Sequence, residues 1–215
     1  MGAVRTSGWP ALVGGSACLD FANTVGPRRP PPGEQGRDYV ADYRQLVRWA
    51  VWAGVLTTGQ ATALETAAAD DPVAADMVLA DARGLREAVY RAFSTAADGD
   101  RVPAPALDVI REAYLQTLRQ ASLGAVSGGL DWCWPDRGPL DQVVWPIARS
   151  AVDLAVSERL ARVRRCPGDD GHCGWLFLDL SKSGTRRWCS MRSCGSRVKS
   201  RRQVARVRAA REGIK

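Results

Sequence analysis

Four cysteines in the last quarter of the chain constrain its fold more than any other feature. Cys166 and Cys173, then Cys189 and Cys194, form two pairs, C-x6-C and C-x4-C, with fifteen residues between them. Thiolates paired across two short loops, with a hairpin-length insert between them, suit a tetrahedral Zn²⁺. Four sulfurs leave no open coordination position, so one such ion is structural rather than catalytic. The run that follows, GSRVKSRRQVARVRAAR, is dense in arginine. A metal-stapled knuckle feeding a basic helix points to a nucleic-acid-binding module.

Charge divides the chain in the same place. Residues 1–158 hold 14 basic and 19 acidic residues, a net −5, and residues 159–215 hold 16 and 4, a net +12 with cysteines neutral. An acidic body and a strongly basic tail imply that the tail meets phosphate and the body does not. With 215 residues, 46% of them hydrophobic, the chain can bury a core. We expect a helical regulatory or dimerisation domain over 1–160 and a zinc module with a basic C-terminal helix over 161–215. No run of eighteen apolar residues predicts a membrane span, and the N-terminus lacks the pattern of a secretory signal. The expected location is the cytoplasm, at the nucleoid, where reduced thiols favour metal over disulfide. Cys18 and Cys133 lie far from the quartet and read as free, partly buried thiols. Abundant Ala, Arg and Gly point to a GC-rich, bacterial source.

Along the body, GSACLDFANTV reads as a short strand or a helix turn anchored by Leu19, Phe21 and Val25. GPRRPPPGEQG reads as an exposed, mobile loop. From Asp38 to Leu56 apolar residues recur at helical spacing. Thr57 or Thr58 can cap a helix over 59–69, and Pro72 can open another to about Ala97, with Val73, Met77, Leu85, Val89 and Phe93 as anchors. A fourth helix is predicted over about 104–120, two short strands around Ser127-Gly128-Gly129, and a long helix over 139–165 that runs almost into Cys166. In the zinc module, Trp175, Phe177 and Asp179 alternate with Leu176, Leu178 and Leu180. That is a strand pattern, with a return expected through Arg186-Arg187-Trp188. Such a hairpin cannot stand alone in water, so zinc and a Trp175/Phe177/Trp188 cluster must support it. The expected fold is mainly α: a helical domain with a short β-hairpin, then a small treble-clef or ribbon-like four-cysteine module.

The stretches Cys173-Gly174-Trp175-Leu176-Phe177-Leu178-Asp179, Arg187-Trp188-Cys189-Ser190-Met191 and Cys194-Gly195-Ser196-Arg197-Val198-Lys199 resemble the CGNR zinc finger. The body resembles that family's usual N-terminal partner, the ABATE domain, through Cys18-Leu19-Asp20-Phe21-Ala22-Asn23-Thr24 and Trp145-Pro146-Ile147-Ala148. The resemblance implies Zn²⁺ at the four cysteines, DNA binding, and a role as a stress-induced transcription regulator. The chain departs from the motif at Ser196, where the family has Asn; both side chains can cap a helix. His172 adjoins Cys173 and could replace it as a ligand, but the spacing and the resemblance favour Cys173.

The candidate nucleic-acid contacts are Arg186, Arg187, Arg192, Arg197, Lys199, Arg201, Arg202, Arg206 and Arg208. Only Val198, Ala205 and Ala209 form a narrow apolar stripe among the last of these, so that helix needs a polyanion or another domain to cover it. Asp20 and Asn23 are candidates for a ligand pocket in the body, against plain turn chemistry and capping. The expected partners are duplex DNA, a small-molecule effector and a second copy in a homodimer, with no membrane. An RNA-binding or ribosome-associated role is the alternative. No nucleophile–base pair, phosphate loop or HExxH motif argues for an enzyme.

Overall fold

The computed structural model describes residues 8–168 and 171–212. Helix α1 (Ala17–Ala22) is only six residues long, yet Cys18, Leu19, Phe21 and Ala22 are all buried. It lies at the centre of the core, packed chiefly on α4 (Pro72–Ala97) and α6 (Trp145–Ala155). The Phe21 ring meets that of Trp49, on α2 (Tyr43–Trp52), at 5.0 Å between centroids and a tilt of 44°. Helix α2 starts later than its apolar spacing predicts. Asp38 belongs to a two-residue strand, β2 (Arg37–Asp38), paired with β1 (Val25–Gly26), and Asp42 caps α2 by accepting from the Gln45 N–H.

Helix α3 (Thr58–Asp70) carries the expected N-terminal signal as a capping box between Thr57 and Gln60. Helix α4 opens at Pro72 behind an Asp71 cap, as its sequence predicts. Its buried stripe runs through Ala75, Leu79, Ala82, Leu85, Val89 and Phe93. Val73 and Met77, expected as anchors, lie off that stripe and are 70% and 65% exposed. Helix α5 (Ala104–Arg119) faces the core through Ala106, Ile110 and Thr117. The hairpin of β3 (Ser122–Val126) and β4 (Gly129–Cys133) pairs Leu123 with Trp132 across the expected turn.

The predicted helix over 139–165 is broken. A 3-10 turn (Leu140–Val144) leads into α6, Ser157 is extended, and a second 3-10 turn (Glu158–Arg162) leads into β5 (Val163–Arg165). Pro146 fixes the start of α6, because it lacks the N–H that a continuing helix needs. The expected hairpin partner also differs. Strand β6 (Leu176–Leu178) pairs with β5, Val163 opposite Leu178 and Arg165 opposite Leu176, and not with residues 186–188. All three β6 residues are buried. Leu176 and Leu178 join Val163 in the body's core, and Phe177 turns to the cysteine cluster. A strand buried on both faces needs cover on both, and the body supplies one of them.

The loop after β1 is anchored at its start. The Arg28 side chain is 5% exposed and pairs with Glu87 at 2.5 Å. It also donates to the Ala22 carbonyl and lies 4.3 Å from the Tyr90 ring centroid. Its backbone N–H donates to the Cys173 carbonyl at 2.8 Å. Next to it, Arg86 holds Asp38 through two bonds of 2.8 Å. The loop therefore binds α1 and α4 to the cysteine-bearing segment. Residues 32–35 remain exposed.

Candidate metal centre

Strand β5 delivers Cys166, and β6 leaves from the loop that carries Cys173. The Cys166 N–H donates to the Trp175 carbonyl at 2.8 Å, and the Gly174 N–H returns to Cys166 at 3.0 Å. This knuckle requires glycines. Gly168 has φ +64, and a Cβ there would lie 2.5 Å from Cys173; Gly174 has φ +73, and a Cβ there would meet Arg28 at 2.9 Å. The Tyr90 hydroxyl donates to the Gly174 carbonyl at 3.0 Å, and the Trp175 indole donates to Val25 at 2.9 Å. The first knuckle is thus docked on β1 and α4.

Cys189 and Cys194 come from the other side. Ser190 caps a π-turn (Met191–Gly195), which leads directly into α7 (Ser196–Glu212). The four Sγ atoms lie within 4.8 Å of one another, and His172 does not join them. Cys166, Cys189 and Cys194 are buried, and Phe177, Trp175 and Trp188 pack around them. Without a cation the four thiols frustrate one another. With their sulfurs within 4.8 Å of one another, each thiolate that forms opposes the ionisation of its neighbours. A divalent soft-tolerant ion lets all four ionise together, and this donor set fits tetrahedral Zn²⁺ with no open position.

Arg186 and Asp179 hold the second knuckle; the sequence assigned Arg186 to phosphate and gave Asp179 no role beyond the strand pattern. Arg186, expected at phosphate, is folded inward. It donates to the Trp188 carbonyl at 3.0 Å and to the Cys189 and Val13 carbonyls, and lies 4.4 Å from the Phe177 ring centroid. Its five donors satisfy carbonyls that the tight turn leaves without partners. Asp179 is fully buried and accepts from the Ser181 hydroxyl and N–H and from the Arg186 N–H. The Ser181 hydroxyl leads the interactions that hold its carboxyl below the usual range. An Asp two residues before Ser181, ahead of the Ser-Lys-Ser-Gly turn, is the available sequence signal for such a turn.

The other cationic candidates divide differently. Arg187, Arg192, Arg197, Lys199, Arg201 and Arg206 are exposed, and Arg187 lies over the Trp188 ring. Helix α7 contains Arg202 and Arg208, but their side chains lie outside the described residues. Ser196 does not cap α7. Its hydroxyl donates back to the Arg192 and Ser193 carbonyls at 2.9 and 3.0 Å.

Asp20 and Asn23 both act on the backbone of this junction, and neither lines a described cleft. The Asn23 amide donates to the Leu176 carbonyl at 2.8 Å and accepts from the Leu176 N–H at 2.9 Å. Asp20 accepts from the Gly14 N–H at 2.7 Å. Burial pushes its carboxyl up to about 6, against hydrogen bonds from Gly14 and Val13 that act the other way. An unfolded Asp titrates near 3.9, so the folded chain binds this proton more readily. The resulting stability is fully present below the unfolded value and is lost as pH rises through about 6. Wild type should therefore gain about 1 kcal/mol relative to Asp20→Asn between pH 7 and pH 5. Urea denaturation of both proteins at the two pH values checks this, since zinc linkage is common to both. A constant difference would rule it out.

A family model described as "Putative stress-induced transcription regulator", ABATE, matches residues 15–158. A second, the CGNR zinc finger, matches residues 162–207. No curated protein sequence matches the chain. No helix among the described residues is long and apolar enough to cross a membrane. The four clustered cysteines hold one structural zinc ion, and the chain belongs to the ABATE family, with a CGNR zinc finger following its helical body.

Proposed function

We propose that this zinc-binding regulator contacts duplex DNA through α7 and the turn before it, at the nucleoid of a bacterial cytoplasm. The observation that carries this reading is the state of α7. It follows the zinc knuckle directly, has no acidic residue in its first turn, and exposes Arg197, Lys199 and Arg206. None of these three makes an ion pair among the described residues. Its principal packing partner is the π-turn rather than the acidic body. A helix so charged has little internal reason to form, and a polyanion supplies the missing counter-charge. Arg187 and Arg192 flank the knuckle and are exposed, and we assign them, with Arg201, Arg202 and Arg208, to the DNA contact. Arg186 is committed to the knuckle itself.

Binding should weaken steeply with salt, because each phosphate contact releases condensed counterions. Lys199→Ala should lower the slope of log K against log salt by about 0.9 and weaken all duplex sequences alike. If the regulator works as a homodimer, its site contains two half-sites at a fixed spacing. Titration against duplex DNA, single-stranded RNA and structured RNA at several salt concentrations tests the reading. Salt-independent binding, or tight RNA binding without duplex binding, would overturn it in favour of an RNA-associated role.

A further inference from the structure

We propose that a cleft between α6, the α2–α3 corner and the exit of the β3–β4 hairpin binds a small aromatic carboxylate. We infer also that this ligand changes the zinc module's affinity for DNA, a second half that rests on the function proposed above.

The cleft has a volume of about 430 Å³. That is the size of a site for one small molecule, and such sites combine apolar walls with a few placed polar groups. Trp134 and Trp145 supply aromatic walls, and Arg149 and Arg159 supply cations. The Arg149 guanidinium lies 5.3 Å from the Trp134 ring centroid. It pairs with Asp131 at 2.7 Å and with Asp153 at 3.3 Å. Asp153 is 60% exposed, so that second partner is readily exchanged for a ligand carboxylate. Arg159 is exposed and makes no ion pair among the described residues. Arg149 is already paired with Asp131 and Asp153, so the cation at the cleft without an ion pair among the described residues is Arg159. An anion is favoured over a cation for that reason. The tryptophans favour a flat, apolar body behind the anionic group.

The cleft is connected to the zinc module by two short segments of chain. On its floor the Ser150 hydroxyl pairs with Ser16 at 2.7 Å and accepts from the Cys18 N–H at 3.2 Å. Two residues before Ser16, the Gly14 carbonyl accepts the Leu178 N–H at 2.8 Å, so this strand edge of β6 rests on the same segment. On the other side Arg159 belongs to the 3-10 turn that runs into β5, and Cys166 follows β5 immediately. A ligand that repositions Ser150 or Arg159 displaces the strands that carry the first cysteine pair. Such displacement gives a ligand different contact energies in two arrangements of the module, which is what coupling requires.

Calorimetric titration of the zinc-loaded full chain with benzoate, 1-naphthoate and indole-3-acetate tests the site. The neutral 1-naphthalenemethanol and the cationic 1-naphthylmethylamine serve as controls. At least one carboxylate should bind saturably, one per chain, with the controls weaker. Arg149→Gln and Arg159→Gln should each weaken it by about tenfold or more, as expected for a lost charge-assisted bond. Circular dichroism and zinc content confirm that both variants are folded, and Arg159 is exposed enough to be replaced without loss of packing. No saturable binding of any carboxylate, undiminished binding by both variants, or tighter binding of the amine would overturn the site. Duplex affinity is then measured with and without the bound carboxylate, with a change of about fivefold or more expected. Carboxylate binding that leaves duplex affinity unchanged would overturn the coupling. Carboxylate binding by a chain that binds no duplex would keep the site and overturn the DNA-binding reading instead.

Discussion

Cys189→Ala should lose its zinc, lose duplex binding, and unfold the segment that follows β6, while helices α1 to α6 persist. Cys189 is 1% exposed, and its Sγ lies 3.8 Å from that of Cys173 and 3.7 Å from that of Cys194. Removing it leaves three ligands and a gap among Phe177, Trp175 and Trp188. The apolar cluster there contains few residues, so the metal's binding free energy, about 10–16 kcal/mol in comparable small modules, is most of that segment's folding free energy. Helix α7 spans 17 residues and packs chiefly on the π-turn that Cys194 closes. It should fray when that turn opens. The body has its own core around Phe21, Trp49, Leu85 and Ile147, so it should stay folded without the ion. Chelation of the wild type should reproduce the same partial loss of helical signal. Cys18→Ser and Cys133→Ser should keep full zinc, because neither thiol belongs to the cluster. Elemental analysis and far-ultraviolet circular dichroism check both halves. Full zinc retention by Cys189→Ala, or collapse of most helical signal on chelation, would contradict the assignment.

The features that could be read from sequence are those whose cause is local. Cysteine spacing located the metal site because ligand chemistry acts through short loops. Thr57 and Pro72 marked helix starts because capping and a missing N–H act within one turn. Strand β6 could be recognised from its alternation, but its partner could not. Residues 163–165 and 186–188 both contain arginine pairs, and nothing local chooses between them. The choice follows from burial, since β5 brings Val163 into the same core as Leu176 and Leu178. The inward bonds of Arg186 were hidden for a related reason. Charge patterning treats an arginine as solvated, whereas its inward carbonyl partners exist only once the knuckle has closed. The break after α6 was hidden because the residues beyond it keep enough helical spacing to mask a change to strand.

Asn23→Leu should destabilise the chain by about 2–4 kcal/mol while leaving zinc stoichiometry unchanged. Asn23 is 1% exposed and stands 153 residues from its partner. Its amide presents one donor and one acceptor to the Leu176 backbone, as a residue of a neighbouring strand would. With the Gly14 carbonyl taking the Leu178 N–H, the flanks of α1 serve as a third strand along the free edge of β6. Leucine conserves the volume but leaves a buried N–H and a buried carbonyl without partners, and each costs about 1–3 kcal/mol. No metal ligand is touched, so the four thiolates still hold the ion. The variant thus separates two ways of fixing β6, by the body and by the metal. Urea denaturation with zinc bound should show the full loss, because the broken contact belongs to the shared core. If Asn23→Leu matched the wild type in stability, β5 and the zinc knuckle alone would hold β6, and the body would be an attached neighbour rather than a structural partner of the metal centre.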